Sequence, residues 1–178
     1  MRLRKLEMKD AELMLEWMHD ESVVCNLGTD FMSKTIDDCK NFIRQSWDKK
    51  IDISYAIVDT DDIYMGTVSL KHISYEKKTA EFAIAIRKSA MGKGYSNFGM
   101  RSILQYGINE LGLHAIYWCV SIDNKRAVRF YDKNQYVRTL EVPEDILKNY
   151  SPLQNENFIW YKFTDHSLEV MKEIAGTV

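Results

Sequence analysis

Cysteine, proline and glycine are sparse in this 178-residue chain, and so are long apolar runs and any excess of basic charge. The three cysteines, Cys25, Cys39 and Cys119, are odd in number and far apart. They lack the close pairs of a zinc site or a disulfide framework, so a reducing, cytoplasmic setting is expected. Two prolines, Pro143 and Pro152, leave no Pro-rich linker, and neither a repeat nor a low-complexity segment is found. No uncharged apolar stretch approaches the roughly 20 residues of a membrane helix. The charged start, MRLRKLEMKD, is not followed by the apolar core of a signal peptide, so neither a membrane association nor export is expected. With 24 Lys and Arg against 26 Asp and Glu, the net charge of -2 offers no basic field, and nucleic acid is excluded as an expected partner. His19, His72, His114 and His166 show no ligand spacing, so no metal is assigned, and a Gly-x-Ser-x-Gly nucleophile elbow is absent.

What is present is an ordinary globular composition, 46% hydrophobic and 28% charged, expected to form one α+β domain over residues 1–178. After a short strand, Asp10 is expected to cap a helix whose apolar face holds Ala11, Met14, Leu15 and Met18, with Trp17 beside it. Thr35 and Asp38 have the spacing of a capping box ahead of a second stripe, Ile36, Cys39, Ile43 and Trp47. The period then becomes two at Ile51, Ile53, Tyr55 and Ile57. A turn at 59–62 and a β-rich run at 63–73 complete a hairpin, and a strand at 79–86 follows. That strand sets Glu81, Ala83 and Ala85 on one face and Phe82, Ile84 and Ile86 on the other. A helical stripe through Met100, Ile103, Leu104, Gly107, Ile108 and Leu111 ends at Gly112. A buried strand at 114–121 and a helix at 124–133 follow, with Ala127 and Phe130 turned inward. A last strand covers 158–163, and a helical tail is expected around 167–174. Residues 141–157 read as the one long irregular loop.

Met91-Gly92-Lys93-Gly94-Tyr95-Ser96 stands between a predicted strand and a predicted helix, where unpaired N–H groups and the positive helix end favour an anion. Two glycines let a phosphate approach the backbone, and Lys93 adds charge. A dinucleotide fingerprint would need glycine at Asn97, and a P-loop would need Ser or Thr at Gly94; neither spacing is met. The same glycines also suit a plain tight turn.

The Gly-x-Gly turn, together with Asn124, Ala127 and Tyr131 downstream at spacings of three and four, resembles the GNAT family of acetyl-CoA-dependent N-acetyltransferases. The resemblance covers nearly the whole chain and is strongest over 79–136. Ala80-Glu81-Phe82 and Leu113-His114-Ala115-Ile116-Tyr117 look most like the spermidine and ribosomal-protein N-terminal branch. It implies a mixed, mostly antiparallel sheet, splayed for the cofactor and flanked by about four helices. Met91 stands where the family has Gln or Arg, Ser96 where it has Gly or Ala, and Gln135 where glycine is common. A main-chain cradle survives all three, with Lys93 as a compensating cation.

The resemblance further implies that Met91, Gly92, Lys93, Gly94, Tyr95 and Ser96 bind the pyrophosphate of acetyl-CoA. It implies that Ala83, Ile84, Ala85 and Ile86 pair with the pantetheine arm like an added strand, and that Asn124 contacts pantetheine or caps its helix. A lysine-like amine of pKa about 10.4 is only about one part in a thousand neutral near pH 7.4, so attack on the thioester calls for a base. Glu81 is assigned that role through water, its other reading being a solvated surface carboxylate. Tyr131 occupies the family's general-acid position, its other reading being simple packing. Asp20, Glu21, Asp30, Asp37 and Asp38 outnumber Lys34 on the expected acceptor side and suit a cationic amine, although acids at helix starts need no ligand. A polyamine, a protein N-terminus and an aminosugar nucleotide stay open as acceptors. A regulatory module that binds CoA without catalysis is the non-enzymatic alternative. The family's habit of pairing makes a homodimer the expected assembly, with 158–161 as interface or core.

Overall fold

A computed structural model describes residues 1–47 and 52–167; Ile51 and most of the expected C-terminal helix lie outside the described residues. The alternating segments form β2 (Ile53–Val58) and β3 (Tyr64–Ser74), paired antiparallel, with β1 (Arg2–Lys5) antiparallel on β2. Next come β4 (Thr79–Ile86), β5 (Ala115–Ser121), β6 (Val137–Arg138) and β7 (Phe158–Thr164). The seven described strands run in the order β1-β2-β3-β4-β5-β7-β6. The β4–β5 pair is parallel and short, joining Thr79 to Ala115, Ala80 to Ile116 and Glu81 to Tyr117. The expected four helices are the longer ones, α1 (Ala11–Met18), α3 (Ile36–Ser46), α4 (Tyr95–Asn109) and α5 (Lys125–Lys133). Three one-turn helices were not expected: α2 (Glu21–Val24), α6 (Glu144–Leu147) and α7 (Pro152–Glu156). The last two organise the segment read as an irregular loop. Ser151 caps α7 in a capping box with Gln154, and Pro152 takes the first helical position, where its missing N–H costs nothing. The chain divides into two compact units, Met1–Lys71 with Ala83–Ile103, and His72–Phe82 with Leu104–Val178.

In the first unit, Ala11, Met14, Trp17 and Met18 of α1 are buried with Leu6, Cys39, Ile43, Ala56, Val58 and Tyr64. Trp17, expected beside the apolar face, is inside it, and its indole N–H donates to the Tyr64 hydroxyl at 3.1 Å. Thr35 and Asp38 form the expected capping box. Asp10 stands at the N-cap of α1 but makes no side-chain cap there. Its carboxylate instead accepts from the Glu7 N–H at 2.8 Å and from both Arg4 terminal nitrogens at 2.7 and 2.8 Å. With Asp10 1% exposed, only such a two-pronged guanidinium partner makes its burial tolerable. Arg4 also donates to Asp62 at 2.8 Å, and Lys9 does so at 2.5 Å, tying β1 and the turn after it to the β2–β3 turn.

Gly66 on β3 lies so close to β4 that a Cβ there would collide with the Ala85 carbonyl oxygen and with Ile86. Both obstacles involve backbone, which cannot move aside cheaply. The Gly66→Ala protein is expected to lose about 1–3 kcal/mol, at roughly 2–4 °C of Tm per kcal/mol for a chain of this size. Thermal denaturation measures it, and an unchanged Tm would show that the strands separate there at no cost.

Lys9 and Arg4 hold the Asp62 carboxyl down to about 2, below its usual range. A depressed carboxyl contributes stability that is present above its unfolded pKa of about 3.9 and is lost as pH falls through about 2. Asp62→Asn is expected to lower Tm at pH 6, with the gap closing between about pH 4 and 2. Asn tolerates the φ of 63° at this position, so a gap that persists at pH 2 would refute the electrostatic account.

Candidate active site

The glycine loop belongs to the first unit. Gly92 and Gly94 have φ of 75° and 88°, conformations that side chains disfavour, and a Cβ at Gly92 would meet nothing within 4 Å. The glycines are therefore required by backbone conformation, and the loop is not filled by packing. Residues 92–94 are exposed, including Lys93. The first described helical bond of α4 runs from the Phe98 N–H to the Gly94 carbonyl, so the N–H groups of Tyr95, Ser96 and Asn97 precede any intrahelical acceptor. Together with the positive end of a 15-residue helix, this main chain suits an anionic group. Met91 packs its side chain on the core of its unit, anchoring the loop from below. Ala83, Ile84 and Ala85 of β4 are half-buried and Ile86 is buried.

In the second unit, Asn124 caps α5, its Oδ1 accepting from the Ala127 N–H at 3.1 Å. Tyr131 is the buried residue of α5; Ala127 and Phe130, expected to face inward, are only half-buried. The Tyr131 ring lies 5.6 Å from Trp118, 6.2 Å from Tyr136 and 5.0 Å from Tyr161. Burial pushes its phenol up, chiefly by desolvation and then by the neighbouring Tyr136, so it stays protonated at neutral pH. Trp118 stacks on Tyr161, with ring planes 9° apart and centroids at 5.6 Å.

Glu81 is 7% exposed, which overturns its reading as a solvated surface carboxylate. The Tyr150 hydroxyl donates to Oε1, and Nδ1 of His72 lies 3.1 Å from Oε2. Tyr150 is itself fixed by edge contacts to Phe158 and Trp160, with centroids at 5.7 and 5.2 Å. Burial, reinforced by Cys119 and Glu81, raises its pKa far above a free phenol's. The Cys119 thiol, hydrogen-bonded to Tyr150, is pushed up to about 12 mainly by desolvation and stays a thiol at neutral pH. Sequence reading assigned Glu81 and missed His72 and Tyr150. Tyr150 carried no signal, because its segment read as loop. His72 and Glu81 each lie three residues from the turn at 75–78, a symmetry that places them across from each other in a hairpin.

The expected acidic acceptor side is largely spoken for locally. Asp20 accepts from the Ser22 N–H and hydroxyl, Asp30 from the Ser33 N–H, and Asp38 from the Thr35 N–H and hydroxyl. Among the described residues no group of His, Cys, Asp and Glu side chains is arranged to hold a metal, and no helix is long and apolar enough to cross a membrane.

With this geometry in place, the family profile "Acetyltransferase (GNAT) domain" matches residues 1–137, which contain the glycine loop, Glu81, Asn124 and Tyr131. The chain belongs to the GNAT acetyltransferase family. A spermidine N(1)-acetyltransferase of Vibrio cholerae is 30% identical over 95 residues, covering 53% of this chain. The match spans 55%, about half, of that relative's length. A Bacillus licheniformis protein named N-acetyltransferase p20 is 22% identical over 171 residues, covering 91% of this chain and 90% of that protein. The crystal structure of the Vibrio cholerae spermidine N-acetyltransferase in complex with CoA and spermine superposes with a TM-score of 0.76. The identity is 20%, with 93% of this chain and 96% of that one covered. This likeness establishes the GNAT fold of α+β class, with its mixed, mostly antiparallel sheet.

The donors around Glu81 give the first check on this site. Tyr150→Phe keeps the ring between Phe158 and Trp160 but removes a donor to a buried carboxylate. A loss of about 1–3 kcal/mol is expected, read as a lowered Tm; a wild-type Tm would mean that water replaces the phenol.

Proposed function

We propose that this GNAT protein moves the acetyl group of acetyl-CoA to a primary amine, with a polyamine as the leading acceptor. The observation that carries the proposal is the loop at residues 91–96, whose two left-handed glycines expose main chain at the start of α4. That loop fits a pyrophosphate through its N–H groups, aided by the charge of Lys93. Ala83, Ile84, Ala85 and Ile86 would pair with the pantetheine arm. Asn124, whose Oδ1 is occupied by the Ala127 N–H, retains its amide donors for the same ligand. The polyamine is supported by the Vibrio cholerae matches, whose names specify spermidine. The same reading takes residues 1–178 as one functional domain, works in the cytoplasm in keeping with three unpaired cysteines, and forms a homodimer in keeping with the family's habit.

When bound, acetyl-CoA supplies an activated acyl group; the protein's part is positioning and proton management. Glu81 draws a proton from the ammonium through water, leaving the nitrogen lone pair to form the C–N bond. As the C–S bond breaks, Tyr131 hands its proton to the departing thiolate, whose free thiol titrates near 8.5; burial keeps the phenol protonated but weakens it as an acid, so the transfer is completed only as the phenoxide is reprotonated. The phenoxide then regains a proton from the acylated nitrogen and Glu81 returns its proton to solvent, so charge balances.

Release of free CoA from acetyl-CoA, assayed with spermidine, other polyamines, aminosugar nucleotides and N-terminal peptides, tests the reading. Amine-dependent release is expected, and Glu81→Gln and Tyr131→Phe should each lower kcat by about 100-fold or more while acetyl-CoA still raises Tm. A thermal shift with no turnover on any amine would favour a CoA-binding regulator instead, and near-normal rates in the variants would remove Glu81 and Tyr131 from the chemistry.

A further inference from the structure

The segment that carries Tyr150 is fastened to the β3–β4 hairpin by three polar contacts. Asp145 of α6 pairs with Lys77 in the hairpin turn at 3.2 Å. Asn149 Nδ2 lies 3.3 Å from Nδ1 of His72, and the Tyr150 hydroxyl meets Oε1 of Glu81. An apolar anchor accompanies them: Ile146 is buried, and Leu147 and Tyr150 pack against the same cluster. Phe158 and Trp160 meet the Tyr150 ring edge-on, with interplanar angles of 87° and 89°. A tyrosine has only two side-chain torsions, so these contacts leave its hydroxyl little freedom.

The direction of the Tyr150–Glu81 bond follows from what each group can offer. A carboxylate only accepts and a phenol has one hydrogen, so that hydrogen points to Glu81. The Cys119 thiol of β5 is hydrogen-bonded to the same phenol. With the phenol hydrogen committed, the thiol is the donor to its oxygen. Burial pushes the thiol up to about 12 and raises the phenol further, so both keep their protons at neutral pH. The order Cys119, Tyr150, Glu81 thus runs one way and ends on the carboxylate. Oε2 of Glu81 faces His72 at 3.1 Å. A carboxylate has about four lone-pair positions and the described bonds use two, which leaves capacity for a water. A buried carboxylate that has no guanidinium partner is a poor device for stability alone. What the phenol gives it is a fixed position.

We infer that Tyr150 is the positioning residue of Glu81, its hydroxyl holding one carboxylate oxygen in place so that the remaining lone pairs receive the water through which the base acts. This rests on the acetyltransferase reading and deepens it. Tyr150 keeps its hydrogen throughout. The proton that leaves the ammonium passes to the water, and a proton of that water passes to Glu81.

The test is spermidine-dependent CoA release at one pH by the wild type, Tyr150→Phe, Glu81→Gln and the double variant. Tyr150→Phe is expected to lower kcat about tenfold or more, the scale of one hydrogen bond to a charged group, with KM for acetyl-CoA within about twofold of wild type. In the Glu81→Gln background the same change is expected to cost less than about twofold, because the phenol then has no base left to position. An equal loss in both backgrounds overturns the inference, since a residue that only supports the fold would slow both enzymes alike. A kcat within about twofold of wild type overturns it too. A second measurement needs no turnover. In thermal denaturation Tyr150→Phe should lower Tm more in the wild type than in Glu81→Gln, because a bond to a charge is worth roughly twice a bond to a neutral amide. Equal drops overturn the Tyr150–Glu81 pair itself. Absence of amine-dependent turnover in the wild type, with the unequal drops intact, instead overturns the acetyltransferase reading and the positioning role with it.

Discussion

Taking a carboxylate out of water requires donors to replace the water, and Glu81, 7% exposed on β4, imposes that requirement on everything around it. One oxygen takes the Tyr150 hydroxyl and the other faces His72. To deliver His72, β3 gives up regular strand geometry at one residue. To deliver Tyr150, the chain beyond β6 builds α6, whose Ile146 is buried with Ala115, Tyr117 and Trp160, and Leu147, Tyr150 and Phe158 pack on that group. The short helices in the supposed loop thus serve a polar purpose through an apolar one. They hold a phenol where a carboxylate needs it.

A second buried carboxylate, Asp10, is handled differently and shows why Glu81 is unusual. Asp10 is matched by a bidentate guanidinium and a backbone N–H, an arrangement that cancels its charge and leaves it chemically silent. Arg4 then reaches Asp62, so one cation joins the start of the chain to the turn that closes the β2–β3 hairpin. Breaking such a pair from one side typically costs several kcal/mol, because a bare charge remains inside. Glu81 has no such cation. Its described partners are a phenol and an imidazole, so its burial is met by hydrogen bonds and not by a guanidinium.

Much of the fold was legible because it obeys local rules. The Thr35–Asp38 capping box, the Asn124 cap, the change to a period of two after residue 52 and the glycine pair all reflect interactions between residues a few positions apart. What was missed depends on partners outside the element being read. Asp10 sits at a cap position yet turns its side chain back to Arg4, because a guanidinium offers an anion more than a helix N–H does. On α5 the pattern favours Phe130 as the inward residue. The aromatic ring set of Trp118, Tyr136 and Tyr161 draws in Tyr131 instead, and no periodicity within nine residues can reveal that. The role of Tyr150 was illegible for the same reason, since its partners lie on β4 and β5.

The position where the chain departs most from its family's pattern tests which part of the loop matters. Family members carry Gln or Arg where Met91 stands, a polar side chain able to touch a phosphate. Met91 turns into the core of its unit instead. A half-buried thioether cannot replace a guanidinium, so any anion affinity of residues 91–96 must come from main-chain N–H groups, the α4 dipole and the exposed Lys93. Those contributions depend on backbone shape, and the shape is set by Gly92 and Gly94 at positive φ. Anchoring the loop through an apolar side chain favours that shape by fixing the residue immediately before the first glycine. Under the proposed cofactor reading, the substitution exchanges a polar side-chain contact for an apolar anchor of the backbone.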